Sequence, residues 1–566
     1  MPTADPSPPV EPSPSVTASA EPTASPAPVT IIYELSAGQQ SGKLVGDAIP
    51  IYRLVLPDVG AGENSPHGGT GQNGSDCAAC HAGHTSQQAN LLAASNSQAA
   101  VCYACHKAGL GAADIAAEFS DAPANDPSSA SYYGHPVNAL NDDALTCADC
   151  HNPHLSGIDR PAQSTTGWTA DGPTAAARGI AVANGAAGSE PIYTPITHGL
   201  ATYEYELCLS CHSGSAAANL PTRDTAHPSW WALDAGIEFN PANASYHPVE
   251  GVGRNATAQM AASLAGTSPF KAWSFGVDST VRCSNCHGDP TTVNQVGSGT
   301  PLTPAADALE ASHASPNRGL LTAPYRDRTL KATGEAYAAE DFGLCYLCHA
   351  ERPFVDPNVD PGAPDTSFPL HGIHLAGTAM KAGLGEAGAG LSIDTLGDGQ
   401  GLATCSECHF RSHATAVAYR PGDTAPVARA NGATGLVNFA PNVRGVGLID
   451  PTWAKPTSLG QGSCTLTCHG YTHTAATQTY SVAPAAGFTW SQASGLVIVF
   501  SDATRYADTI TATWSWDFGD GASSTVVSPS HTYAAPGTYA VSLTVQRLGL
   551  GGLSTTMTRS VVVVAP

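Results

Sequence analysis

Seven pentapeptides of the form Cys-x-x-Cys-His constrain this chain more than anything else in it. They are CAACH at Cys77 to His81, CYACH at Cys102 to His106, CADCH at Cys147 to His151, CLSCH at Cys208 to His212, CSNCH at Cys283 to His287, CYLCH at Cys345 to His349 and CSECH at Cys405 to His409. An eighth stretch, CTLTCH at Cys464 to His469, has one residue more. Each pentapeptide has the form of a c-type haem attachment site, in which two thiols about one turn apart bond the vinyl groups of one haem. The adjoining imidazole becomes the proximal axial ligand of iron. The chain has 16 cysteines, read here as Cys77, Cys80, Cys102, Cys105, Cys147, Cys150, Cys208, Cys211, Cys283, Cys286, Cys345, Cys348, Cys405, Cys408, Cys464 and Cys468, so the eight motifs use every thiol. Zinc ribbons and disulfides also employ paired cysteines, but neither needs a histidine directly after each pair.

The expectation is therefore eight covalent haems and their irons, with His81, His106, His151, His212, His287, His349, His409 and His469 as proximal ligands. In CTLTCH the half nearest the iron, Cys468 and His469, is intact. A short bulge is expected to bring the displaced Cys464 to its vinyl group; the alternative is a disulfide between Cys464 and Cys468.

Of the 21 histidines, twelve remain once the proximal ones and His531 are set aside, enough to supply a second axial imidazole to every iron. The distal candidates are His67, His84, His135, His154, His198, His247, His313, His371 and His374; His413, His473 and His227 carry less weight. His67, His135 and His198 shortly precede a motif and are expected to fold over the haem of that next motif, with His247 behaving similarly because YHPVEG echoes GHPVNA. His84 and His154 follow their proximal histidine too closely to reach the same iron and would serve a neighbour. In HGIH, at least one of His371 and His374 should ligate.

With 566 residues, only 12% of them charged, and with 58 Gly and 44 Pro, residues 31–480 are expected to be a haem-packed region, mostly loop with short helices at the motifs. The later motifs recur about every 60 residues, as stacked haem-binding units would. The stretch Pro161 to Pro195, which has no motif, reads as surface loop. Residues 1–30 hold many prolines and neither Lys nor Arg, and read as an extended tether. From Ser481 to Pro566 cysteine is absent, and segments such as LVIVF, TATWSWDFGDG and TYAVSLTV alternate with the strand period, which predicts an all-β sandwich.

Here a resemblance enters. WDFGDG at Trp516 to Gly521, followed by SHTYAAPGTYAVSLTV at Ser530 to Val545, resembles the PKD domain, an immunoglobulin-like module of cell-surface proteins. The resemblance implies surface or protein contact for residues 481–566, and a structural role for His531, which lies inside the family motif. CAACHAGHTSQQANLL with VCYACH, and GHPVNALNDDALTCADCHNPH, resemble the doubled-CxxCH class of multihaem cytochromes. That class carries electrons, and some members polymerise into extracellular filaments.

The net charge of -23 argues against nucleic acid as a partner. Redox proteins, extracellular electron acceptors and further copies of this chain are the expected partners. Haem attachment follows export, so an extracellular or cell-surface location is expected, although the first residues do not read as a signal peptide and no apolar run is long enough to cross a membrane. Two functions compete: an electron conduit of bis-His haems without a catalytic residue, and a multihaem reductase of nitrite, hydroxylamine or tetrathionate type, which needs one open iron. The Asp-rich turns DTLGDGQG at Asp394 to Gly401 and DFGDG with Asp517 and Asp520 offer oxygen donors for calcium, but without EF-hand spacing they read first as turns.

Overall fold

The computed structural model describes Cys80, His81 and Leu92 and residues 97–107, 114–126, 131–137, 145–153, 162–170, 172–174, 177–196, 200–213, 234–289, 312–326, 331–355, 368, 370–377, 401–415, 417–418, 427–428, 434–440, 442–447, 450–454, 461–468, 471–473, 479–481, 484–505, 507, 512–548 and 554–565. The tether at 1–30, and Cys77, His67, His84, His154, His198, His227 and His469, lie outside them.

The helices are short, and half of those named are built at the motifs: α1 (Gln98–Tyr103), α2 (Ile115–Asp121), α3 (Cys147–Cys150), α4 (Glu204–His212), α5 (Ala235–Phe239), α6 (Ala258–Ala265), α7 (Gly343–Tyr346), α8 (Arg352–Val355), α9 (His371–Ala376) and α10 (Cys405–Cys408). A 3-10 turn, Cys283–Asn285, serves the fifth motif. Side chains that satisfy the first free N–H groups start them. Ser97 Oγ accepts from Ala100 N at 3.1 Å, Asp114 Oδ1 from Ala117 N at 3.0 Å, and Asp234 Oδ1 from Gly236 N at 2.9 Å.

Two classes of motif follow from these starts. The second, fourth and sixth lie at the ends of helical segments that begin before the first cysteine. The third, fifth and seventh begin at it, where Thr146 N donates to Asp149 Oδ2 at 2.7 Å, Arg282 N to Asn285 Oδ1 at 2.8 Å and Thr404 N to Glu407 Oε2 at 3.1 Å. In each case the residue between the cysteines closes the turn that spaces them.

The stretch expected to be surface loop is partly ordered. Hairpin β1 (Gln163–Ser164) with β2 (Gly167–Trp168) and antiparallel β3 (Ile180–Ala183) with β4 (Ile192–Pro195) occupy it, and Ala170, Ala177 and Ile180 are buried. Composition hid this, because short strands of Ala, Val and Ile pack without long side chains. Further strands are β5 (Val417–Ala418), β6 (Val427–Ala428), β7 (Thr452–Ala454), β8 (Gln461–Cys468), β9 (Tyr471–His473) and β10 (Thr479–Ser481), with β8 pairing β7, β9 and β10.

The C-terminal sandwich is as expected. One sheet has the order β11 (Phe488–Gln492), β12 (Val497–Asp502), β15 (Ser530–Thr532); the other is β14 (Ser523–Ser524), β13 (Ala512–Asp517), β16 (Gly537–Arg547), β17 (Ser554–Val563), all neighbours antiparallel. Strand β13 alternates buried and exposed residue by residue, so Trp514 and Trp516 face Phe488, Phe500, Phe518, Leu543 and Val561 in one core.

Candidate haem-ligating site

The structure sets imidazoles in facing pairs. The ring centroids of His151 and His313 are 5.8 Å apart, those of His287 and His413 are 6.1 Å, and those of His135 and His212 are 6.3 Å. A metal about 2 Å from the Nε2 of each ring would hold two centroids about 6 Å apart. These separations therefore fit two axial imidazoles on one iron. Each pair joins a proximal histidine of a motif to one of the spare histidines.

The other ring nitrogen is engaged in a consistent way. Carbonyl and carboxylate oxygens only accept, so a ring facing one through Nδ1 carries its proton there and leaves the Nε2 lone pair for a metal. His135 Nδ1 donates to Ser312 O at 2.6 Å, His151 to Pro173 O at 2.7 Å, His287 to Gly319 O at 3.0 Å, His374 to Leu370 O at 2.8 Å and His409 to Leu436 O at 2.8 Å. His247 Nδ1 donates to Ser412 O. His313 and His413 instead donate to carboxylates, Glu118 Oε2 at 2.8 Å and Glu238 Oε2 at 3.1 Å. Burial holds His287 down to about 4 and His349 and His371 down to about 3, and lowers His135, His247 and His409, so these rings stay neutral as metal ligation requires.

The pairing differs from the local one expected. His135 faces the proximal histidine of the fourth motif, not of the third, and the third receives His313 from beyond the fifth. His247 does not take the position opposite His287; His413, given less weight by its sequence position, does. His247 instead acts electrostatically on His349, and His409 on His371. The reason is an exchange of backbone between distant segments. His135 N donates to His313 O at 3.0 Å beside the bridge Gly134 to Ala314, and His247 N donates to His413 O at 2.8 Å beside the bridge Tyr246 to Ala414. His473 lies in β9 opposite Leu466.

The two crossings repeat one another. Ser-His-Ala occurs at 312–314 and 412–414, His-Pro-Val at 135–137 and 247–249, and Glu-Phe at 118–119 and 238–239. Phe119 and Phe239 pack on His313 and His413 at 5.6 and 4.9 Å. A further repeat pins the proximal rings. Gly319-Leu320 and Gly435-Leu436 all have positive φ, from 56° to 79°, an uncommon state for leucine. Those turns present the carbonyls that accept from His287 and His409. Sequence reasoning missed Glu118, Glu238, Arg411, Gly319 and Leu436; the repeated dipeptides and tripeptides were the available signal.

The first cysteines of successive motifs lie side by side, Cys102 with Cys147, Cys208 with Cys283 and Cys345 with Cys405. Gln98 Oε1 accepts from Ala148 N at 2.7 Å, and Glu204 Oε1 from Ser284 N at 3.0 Å, so a residue four before one motif caps the turn of the next. Glu204, Cys208 and Cys283 have ligand atoms within 4.8 Å of one another, the spacing a zinc ion would use. The Glu204 oxygens are already bonded to Ser284 N and Oγ, which leaves the two sulfurs to their motifs.

The eighth motif does not fit the same attachment. Instead of a bulge, Cys464 and Cys468 lie in the continuous strand β8, opposite Trp453 and Tyr471. Four residues of strand advance about 13 Å, against about 4.5 Å for three residues of helix, too far for two thiols to reach one porphyrin edge. Cys464 and Cys468 are not joined as the alternative disulfide.

In the sandwich, His531 stacks on Phe518 at 4.2 Å and its Nε2 bonds Asp520 Oδ2 at 2.7 Å, a structural role. Asp517 and Asp520 also accept from Gly519 N and Ala522 N within their turn, at 2.9 and 3.0 Å. Of the other calcium candidate, only Gly401 is among the described residues.

Comparison with known proteins agrees at both ends of the chain. The doubled CXXCH motif family matches residues 69–110, and the PKD domain family matches residues 481–563. No curated protein matches. Similar solved structures include the PKD1 domain of Vibrio anguillarum Epp, 34% identical over 15% of this chain and 96% of that one, with a TM-score of 0.14. The PKD1 domain of the Vibrio cholerae metalloprotease PrtV is 30% identical over 14% of this chain and 96% of that one, with a TM-score of 0.13.

Proposed function

We propose, from a chain that carries the doubled CXXCH motif of c-type haem proteins and ends in a domain of the PKD family, that this protein is an exported conduit for electrons. The carrying observation is the set of three imidazole pairs at 5.8, 6.1 and 6.3 Å. Bound haem would supply one-electron exchange. The chain's part is to fix the ligands. His151 with His313, His212 with His135, and His287 with His413 would hold three irons; His349 with His247, and His409 with His371, would hold two more.

The order of sites along the conduit follows the order of the motifs. The first cysteines lie side by side between the second and third motifs, the fourth and fifth, and the sixth and seventh. The two histidine crossings join the third to the fourth and the fifth to the sixth. Backbone carbonyls hold the rings so that little moves when charge arrives. Self-association into a filament, with the PKD domain making surface contacts, is the larger assembly proposed for it. The doubled motif and the PKD domain both fit an exported protein, and among the described residues no helix is long and apolar enough to cross a membrane.

Electron paramagnetic resonance and visible spectra with carbon monoxide or cyanide test the reading. Uniform low-spin iron that takes up neither ligand is the expected result. A high-spin iron that binds them would replace the conduit with the reductase. Electron microscopy of the secreted protein decides filament against monomer.

A further inference from the structure

Among the described spare histidines whose Nδ1 partner is resolved, most donate to a backbone carbonyl, but His313 and His413 donate to carboxylates. The device is built twice. Asp114 and Asp234 start α2 and α5, and each helix carries its Glu-Phe pair so that the carboxylate meets Nδ1 while the phenyl ring packs on the imidazole. Glu238 is fully buried and Arg411 grips it with two bonds, Nε to Oε1 at 2.5 Å and Nη2 to Oε2 at 2.6 Å. Glu118 is largely buried, its side chain 18% exposed. A buried carboxylate costs desolvation that an apolar side chain would avoid, so stability alone gives no reason to place one beside each of these two histidines.

We infer that Glu118 and Glu238 are positioning residues that set the reduction potentials of the third and fifth haem sites below those of sites whose distal ring donates to a carbonyl. This rests on the ligand reading above. A carboxylate accepting from Nδ1 draws the proton toward itself and makes the imidazole a stronger donor through Nε2. A more basic ligand favours the ferric state at both sites, and the charge of Glu118 adds to this at the third, whereas Arg411 offsets the charge of Glu238 at the fifth. Because the two sites alternate with the fourth and sixth, electrons passing from the third site to the sixth would meet a low-potential site at every second step.

The test is a spectroelectrochemical titration of the full haem-loaded protein, wild type against Glu118→Gln and Glu238→Gln, with electron paramagnetic resonance of the oxidised state. Each variant should shift the fraction of the titration due to one haem to higher potential, by about tenfold in its electron equilibrium, or about 59 mV, with iron still low-spin and its resonance moved. Glu238→Gln leaves Arg411 without its carboxylate and can impair folding; Glu118→Gln, at the less buried site, carries the test by itself. His413→Met separates the two ideas. If it removes one bis-His signal while both glutamine variants titrate as wild type, the tuning role is overturned and the ligand reading stands. If it leaves every signal unchanged, the ligand reading fails and the tuning role with it.

Discussion

Glu250 is the residue where burial leaves the clearest thermodynamic trace. Its carboxyl is 7% exposed, accepts from Asn184 at 2.6 Å through one oxygen, and leaves the other, Oε1, buried without a hydrogen bond. Burial, with Asp234 and Glu206 nearby, pushes it up from 4.5 to about 7. A raised carboxyl binds its proton more tightly folded than unfolded, so its contribution is fully present below about pH 4.5 and is lost as pH rises through about 7. Glu250→Gln should therefore be about 3 kcal/mol more stable than wild type at pH 8 and equal to it near pH 4.5. Thermal melts of the two proteins at both pH values check this, and equal melting at pH 8 would refute it. At this scale the motif histidines were legible because Cys-x-x-Cys-His is contiguous. Glu118 and Glu238 were not, because each meets its histidine across 195 and 175 residues of chain.

Among the elements, β8 is where local expectation failed. CTLTC alternates threonine and leucine in the strand period, and pairing with β7, β9 and β10 rewards the extended state more than a lone motif rewards a turn. With Cys464 opposite Trp453 in that ladder, Cys464→Ser should leave the number of covalent haems unchanged, whereas Cys405→Ser, in the helical turn of α10, should lower it. Intact-protein mass spectrometry reads both counts; loss of a haem in Cys464→Ser would show that β8 opens to hold one. The helical motifs and the strands of the sandwich were legible, since capping residues and period-two alternation are local signals. The hairpins between 163 and 195 were not, for their strands are too short to show a period.

For the whole molecule, the sandwich carries its own core, with Trp516 1% exposed against Phe488 and Phe500 at 5.0 and 5.3 Å. Trp516→Ala should cost about 3–5 kcal/mol, and confine that loss to residues 481–566. Calorimetry followed by haem absorbance should show one transition moving down while the haem spectrum holds; a joint collapse would mean the two regions unfold together. Elsewhere the arrangement of sites could not be read from the sequence, because motif spacing reports distance along the chain and the histidine crossings tie segments far apart in it.

Those crossings impose a timetable on biogenesis. The imidazole that faces His151 is about 160 residues further along the chain, and the one that faces His287 about 125. As the chain is made, each of these two motifs is complete long before its second imidazole exists. Closure of the third and fifth sites must await the last segments, which makes their assembly a late, long-range step. A chain stalled or cleaved between Ala314 and Ser412 would be released with one crossing laced and the other open.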